Sequence, residues 1–349
     1  MKKVKWGVLG AGGIADRRTL PGMMVAENAE LVAVMEVVPG LAPKLCEKYH
    51  AKRWYTTAEE LLADPEVEAV YIASPVGFHA SQVRAAIAAG KHILVEKPVA
   101  ATSAESKALC EEAAAKGLLM ATGLMMRFNT YHQQIKNFIA EGKLGQVVSC
   151  HSLFSCWYPD MPGNWRQSKA TAGGGAMTDM GIHCLDLIEY ITGSKIVKVG
   201  GLAETMTFKY DVEDACSALF KLSNGAFGTV DANFNIPDEA VKWKLEFYGT
   251  KGSIITEGTI GQMDGGDAYV IFTGDDKGYD ATQDRNETGA VKLEGELGNI
   301  YGREIESFSN SILNGTPVEV PATDAAHIQS VIEKIYESQE TGKFFEIRY

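Results

Sequence analysis

Val4-Lys5-Trp6-Gly7-Val8-Leu9-Gly10-Ala11-Gly12-Gly13-Ile14-Ala15 stands near the start of this 349-residue sequence. Val4 to Leu9 reads as a buried strand, Gly10 to Ala15 as a tight turn, and the residues on to about Val25 as a helix. A Gly-x-Gly-x-x-Ala turn between a strand and a helix gives the backbone a sharp reversal, a close approach to a ligand and a small residue for helix packing. Backbone N–H groups at such a helix start bind phosphates. Alone, the same glycines fit any turn that needs positive φ, so the downstream pattern decides.

Downstream, strands and helices keep alternating. Leu31 to Met35 is a second apolar strand ending at Glu36. A helix follows from Pro39 to Tyr49, then a short strand near Trp54 and Tyr55, a helix through Leu62, a strand at Ala69 to Ala73, a helix from Ala80 to Ala89, and a strand from His92 to Val95. Thr102 caps a helix to about Lys116, and Leu118 to Thr122 is a sixth strand. This rhythm predicts an α/β, doubly wound parallel sheet. Glu36 ends the second strand, where a carboxylate accepts hydrogen bonds from adenosine ribose hydroxyls and repels a 2′-phosphate. Val37 and Val38 follow it instead of an arginine, so NAD is expected rather than NADP. A solvated glutamate at a strand end is the bland alternative.

After Gly123 the rhythm changes to a helix at Tyr131 to Glu141 and then consecutive strands: Val147 to Cys156, Val197 to Ala203, Ala215 to Leu222, Ala226 to Phe234, Lys242 to Tyr248 and Gly252 to Glu257. They predict an α+β domain with a mainly antiparallel sheet. Gly- and Asp-rich loops around a strand at Tyr269 to Phe272 fill Gly258 to Gly298. Helices near Arg303 to Asn314 and Asp324 to Gln339 close the sequence. The expected division is a dinucleotide-binding domain over 1–123 and a substrate-binding domain over 124–349.

Composition narrows the classes. A hydrophobic content of 46% supports full cores in both domains. A formal charge of −12 argues against nucleic-acid partners, which select a basic face. Six cysteines without C-x-x-C spacing read as reduced and cytosolic, and no metal site is expected. No run approaches a transmembrane span, so no membrane partner is expected and the chain is placed in the cytoplasm.

Two stretches carry chemistry. Ile93-Leu94-Val95-Glu96-Lys97-Pro98 is a strand that must stop at proline, which presents Lys97 at its carboxyl end, where open α/β sheets bind ligands. Gly173-Gly174-Gly175-Ala176-Met177-Thr178-Asp179-Met180-Gly181-Ile182-His183 offers three glycines for close approach to a ligand. Thr178 is a candidate cap, and Asp179 and His183 lie one turn apart on one helix face with Asp186 beyond them. A lone Asp-x-x-x-His is more commonly a surface ion pair; the glycines and Lys97 favour function. Histidine already titrates near working pH. A lysine base would need its charged form destabilised by on the order of 4 kcal/mol, which a nearby aspartate opposes. Lys97 is therefore expected to act as a fixed cation beside the reacting oxygen, His183 as base and Asp179 as the orienting acid. Trp165 and Arg166 are candidate nicotinamide or substrate contacts, or simply a tryptophan packed with an arginine.

At this point the sequence resembles the glucose-fructose oxidoreductase and inositol dehydrogenase (Gfo/Idh/MocA) family. The likeness runs through Gly10 to Ala15, Ser74-Pro75 to His79, Glu96-Lys97-Pro98, Arg127-Phe128, Trp165-Arg166, Gly173 to His183 with Asp186, and Ser338 to Gly342. The resemblance implies a Rossmann domain followed by an α/β domain with a large open sheet that often forms an oligomer interface, hence a homodimer or homotetramer. It implies a cis peptide before Pro98 and places Lys97, Asp179 and His183 as the catalytic group. Gly10, Gly12, Gly13, Ile14, Ala15, Glu36, Ser74, Pro75, His79, Glu96, Lys97 and Arg127 are then expected at the cofactor. Met125-Met126 before Arg127 departs from the polar or basic residues of many relatives. The implied activity is NAD-dependent hydride transfer at a secondary hydroxyl of a sugar or cyclitol. A redox-neutral hydrolase, lyase or epimerase that retains NAD would use the same residues, whereas a non-catalytic dinucleotide sensor would need only the glycine turn and Glu36, and the joint presence of Lys97, Asp179 and His183 counts against it.

Overall fold

Strand β1, Val4–Leu9, sits at the centre of a six-stranded parallel sheet with β2 (Ala29–Met35), β3 (Arg53–Tyr55), β4 (Ala69–Ile72), β5 (His92–Val95) and β6 (Met120–Thr122), in the order β3-β2-β1-β4-β5-β6. In this computed structural model residues 2–273, 281 and 289–348 are described. β4 is buried along its whole length and β5 except at His92, as expected where helices cover both faces of a parallel sheet. The crossovers are a π turn at Ala15–Thr19 continued by α1 (Leu20–Val25), then α2 (Leu41–Lys48), α3 (Ala58–Leu62), α4 (His79–Ala88) and α5 (Ser103–Ala115). Thr102 caps α5 as its sequence predicts, its side chain accepting from the Glu105 N–H. Strand order reverses between β1 and β4, so the loops after these two strands flank the switch point where α/β sheets bind ligands.

The chain then enters a second unit with α6 (Thr130–Ala140), β7 (Val147–Ser155), α7 (Lys169–Ala172), a π turn at Met177–Gly181 and α8 (Ile182–Thr192). The strands that follow are β8 (Ile196–Glu204), β9 (Ala215–Leu222), β10 (Phe227–Asn233), β11 (Lys244–Gly249), β12 (Gly252–Glu257), β13 (Asp267–Phe272) and β14 (Val291–Lys292). Helices α9 (Ile300–Asn314) and α10 (Ala322–Thr341) and strand β15 (Phe345–Glu346) complete the order. Nine strands form one sheet, β14-β13-β12-β11-β7-β10-β9-β8-β15, antiparallel except for the β7–β10 pair. β9 alternates between buried and exposed residues, with Cys216, Ala218, Phe220 and Leu222 on the covered face. Within the 258–298 loop region, residues 274–280 and 282–288 lie outside the described residues.

By packing, the first unit comprises Met1–Phe128 and Asn299–Ser330, and the second Asn129–Gly298 and Val331–Tyr349. The sequence division at 123 puts α9 in the later domain, whereas its contacts put it in the first unit. Trp6, fully buried in β1, donates from its indole nitrogen to Ser309 Oγ at 3.0 Å and meets Phe308 at 5.9 Å between ring centroids. α1 and α9 also cross where Gly22 faces Gly302, so closely that a Cβ on Gly22 would come within 2.6 Å of the Gly302 nitrogen.

Candidate active site

In the first unit the glycine loop follows β1. Gly10 takes φ +74°, and a Cβ there would lie 2.7 Å from the Ser74 nitrogen, so the turn admits only glycine. Gly13, at φ +58°, faces open space. Ile14 leads into the π turn that starts at Ala15, which is fully buried against the sheet. Glu36 reaches back across this loop: its Oε2 accepts the Gly12 N–H at 2.9 Å, and its Oε1 accepts those of Val37 and Val38 at 2.9 and 3.1 Å. A carboxylate has about four lone-pair positions, so roughly one stays available to a ligand. The open space over Gly13, the helix start and this oriented carboxylate fit a dinucleotide, with the loop for its phosphates and Glu36 for its adenosine ribose.

His79 ties two further segments of this unit together. Its ring nitrogens lie 2.7 Å from the Ser74 carbonyl and 2.8 Å from the Pro98 carbonyl, and burial pushes its pKa below 6.5. Ser74 donates to Gln82 Oε1 at 2.5 Å, and Pro75 precedes a short 3-10 turn at Val76–Phe78. β5 ends as its sequence requires: the Glu96 N–H still pairs with the Ile72 carbonyl at 2.8 Å, and the Lys97–Pro98 peptide is cis. Glu96 Oε1 accepts the Tyr71 hydroxyl at 2.5 Å, and Tyr71 in turn accepts Thr19 Oγ1 at 2.9 Å. Burial, aided by the Glu96 charge, holds Tyr71 well above its ordinary value of 10. Arg127 is 3% exposed and bound to Asp324 at 3.0 Å and to the Glu319 carbonyl at 2.9 Å. Those contacts give Arg127 a structural tie inside the unit.

In the second unit Asp179 and His183 sit where a π turn passes into α8. The Ile182 N–H bonds to the Met177 carbonyl, five residues back. A π turn holds more residues than an α turn, yet four residues still come close to one revolution, so the two side chains share a face. Such turns recur at functional sites. His183 is 5% exposed and Asp186 1%. Thr178 does not cap this helix as expected; its hydroxyl pairs with that of Tyr336 at 2.8 Å. The backbone N–H groups of Gly175 and Met177 go instead to the buried carboxylate of Glu213. Gly174 and Gly175 are crowded by Tyr336 and Glu213, so their small size serves packing rather than approach to a ligand.

Arg166 stacks on Trp165, its guanidinium carbon 4.4 Å from the ring centroid. Tyr158 lies within reach of both the Arg166 and Asp179 charges. Burial is the main cause that raises its hydroxyl above 10; Asp179 adds to this and Arg166 opposes it. Tyr158, Glu213 and Tyr336 were not singled out from the sequence. The aromatic pair Trp157-Tyr158 after a strand and the acidic pair Glu213-Asp214 before one were the available signals. Cys156, beside them, has its thiol pushed up to about 12 by burial, with smaller effects from Asp179 and Asp238. The six cysteines are free, and no group of metal-ligating side chains occurs among the described residues. No helix among them is long and apolar enough to cross a membrane.

A Rossmann sheet with a glycine loop and an acid after its second strand, followed by a domain with an Asp-x-x-x-His helix start, is the pattern expected of a nicotinamide-dependent oxidoreductase. Residues 4–124 match the oxidoreductase family with NAD-binding Rossmann fold, and residues 132–255 match the GFO/IDH/MocA C-terminal domain. The chain belongs to the Gfo/Idh/MocA family. It is 26% identical to 1,5-anhydro-D-fructose reductase of Ensifer adhaerens over 88% of each chain. It is 27% identical to D-xylose 1-dehydrogenase (NADP(+)) 2 of Haloferax volcanii over 98% of this chain and 99% of that one. Levoglucosan dehydrogenase in complex with NADH and levoglucosan shares the fold, with a TM-score of 0.87, 23% identity and full coverage of both chains. The protein is accordingly an oxidoreductase with an NAD-binding Rossmann fold, and the relatives it resembles are named for sugars and sugar derivatives.

Proposed function

We propose that the protein is an NAD-dependent dehydrogenase acting on a secondary hydroxyl, or the matching ketone, of a sugar or cyclitol, with Lys97, Asp179 and His183 as its catalytic group. The Glu36 carboxylate carries the choice of cofactor: it is fixed across the glycine loop and followed by the exposed Val37 and Val38. A 2′-phosphate there would meet the Glu36 anion, with valines rather than a cation at positions 37 and 38. Bound nicotinamide supplies the hydride acceptor. Lys97, a cation, stabilises the oxygen as negative charge develops on it. His183 accepts the hydroxyl proton in the oxidising direction and returns it in the reducing one, and Asp179 holds the imidazole in orientation. Trp165 and Arg166 belong to the substrate side of this reading. Gly10, Gly12, Gly13, Ile14, Ala15, Ser74, Pro75, His79, Glu96 and Arg127 form or brace the cofactor side.

We further infer a cytoplasmic homo-oligomer formed through the nine-stranded sheet. Leu202, Leu219 and Phe227 are exposed, and strand register puts them on one face. The catalytic reading is tested by offering a panel of sugars and cyclitols with NAD or NADP and following the reduced nicotinamide. His183→Ala or Lys97→Met should lower turnover by about 10²- to 10⁴-fold without unfolding the protein. A folded variant of either kind that keeps near-native turnover removes the mechanism.

A further inference from the structure

Glu213 stands just before β9 and is 8% exposed. Its Oε2 accepts the Gly175 N–H at 2.7 Å, and its Oε1 accepts the Met177 N–H at 2.9 Å and the Tyr336 hydroxyl at 2.7 Å. That hydroxyl is also 2.8 Å from Thr178 Oγ1. The main chain joins in, since the Ala176 N–H bonds to the Glu213 carbonyl at 3.1 Å. Gly174 and Gly175 let these groups come together, because a Cβ on either would collide with the Tyr336 hydroxyl or the Glu213 carbonyl. Four successive residues, from Gly175 to Thr178, are thus hydrogen-bonded to Glu213 or Tyr336, which come from distant parts of the sequence. Asp179 is the next residue.

A helix start is normally satisfied by a neighbouring Ser, Thr, Asp or Asn. Here the donors are met by an enclosed carboxylate, whose burial raises its pKa and opposes its charge while the three donors favour it. A buried charge is weak evidence for stability, since a well-packed apolar group often serves stability equally well. Its hydrogen bonds do fix position, because each is lost if the segment moves by a fraction of an ångström.

We propose that Glu213, braced by Tyr336, is a positioning residue that sets the placement of Asp179 and His183. The inference rests on the catalytic assignment of those two residues above. In Glu213→Gln one backbone donor faces an amide NH₂. Turnover should fall by about 10- to 100-fold, as expected for displacement of a catalytic group by around an ångström, while the KM for NAD stays at its native value. The midpoint for protonation of the His183 imidazole, followed by NMR on the full-length protein with His183→Ala to assign the signal, should move. Tyr336→Phe removes one donor of three and should cost turnover about fivefold. Cooperative unfolding shows which variants fold.

A folded Glu213→Gln protein with native turnover and an unmoved His183 titration overturns the proposal. If that variant does not fold, Tyr336→Phe decides it by the same two readouts, and native values for both overturn it. If His183→Ala retains turnover, the catalytic reading has failed. The positioning claim is then decided by the His183 titration alone, which needs no substrate.

Discussion

Replacing Glu304 with glutamine should make the protein more stable, and increasingly so as pH rises. Glu304 lies in α9 at 2% exposure, and neither of its carboxyl oxygens has a hydrogen-bond partner among the described residues. Burial, with a smaller contribution from the Glu96 charge, holds its carboxyl well above the ordinary 4.5. Above pH 4.5 the unfolded chain releases this proton and the native state keeps it. The native state then binds more protons, so stability falls as pH rises until Glu304 ionises in the folded protein. The slope is at most about 1.4 kcal/mol per pH unit, or roughly 3 to 6 °C in Tm for a unit of this size. Glutamine cannot ionise, so the Tm of Glu304→Gln minus that of the native protein should climb at about this rate from pH 4.5 and level off where native Glu304 loses its proton. Because burial is the larger cause, adding Glu96→Gln to both proteins should shorten the climb without abolishing it. Melting curves that stay parallel for the two proteins from pH 4.5 to 8 refute the reasoning.

Two further outcomes follow from single contacts. Glu36→Ser combined with Val37→Arg removes the carboxylate and supplies a cation, so the ratio of kcat/KM for NADP over NAD should rise by at least about 10-fold, one lost charge contact being worth 1.5–3 kcal/mol; an unchanged ratio rejects the assigned role of Glu36. Asp214 is fully buried and accepts the N–H groups of Met206, Thr207 and Phe208 at 2.8 Å each. Asp214→Ala leaves all three unmet and should cost about 3 kcal/mol or more in denaturant unfolding, with NADH affinity unchanged.

The parallel sheet was legible because strands covered on both faces are written as apolar runs and punctuated by glycine and proline. β1 and β5 sit at the residues their sequences indicate. β9 was legible for a different reason, its strict alternation about a half-covered face. β14 and β15 escaped notice because two residues cannot display a period. The packing of α9 on β1 rests on Trp6 meeting Phe308 and Ser309, a pairing that no local pattern announces. In the candidate site, residues whose backbone is unusual were visible: the glycines, the proline and the acid closing β2. Tyr71, Glu213 and Tyr336 were not, because each is a common residue type whose role arises from distant partners.

The two glycine-rich stretches look alike in sequence and differ in what surrounds them. In each, a carboxylate from elsewhere accepts backbone N–H groups near the start of a helix that opens with a π turn: Glu36 at Gly12, Glu213 at Gly175 and Met177. Beside Glu36 the space over Gly13 is open, and Val37 and Val38 lie exposed, so a ligand can use both the loop and the acid. Beside Glu213 that volume is taken by Tyr336 and by the glutamate's own backbone, so no ligand enters and the acid works only through the helix it holds. A glycine run therefore reports that something comes close to the backbone. Whether that is a cofactor or the protein itself depends on which atoms fill the space a Cβ would have occupied, and only the fold supplies them.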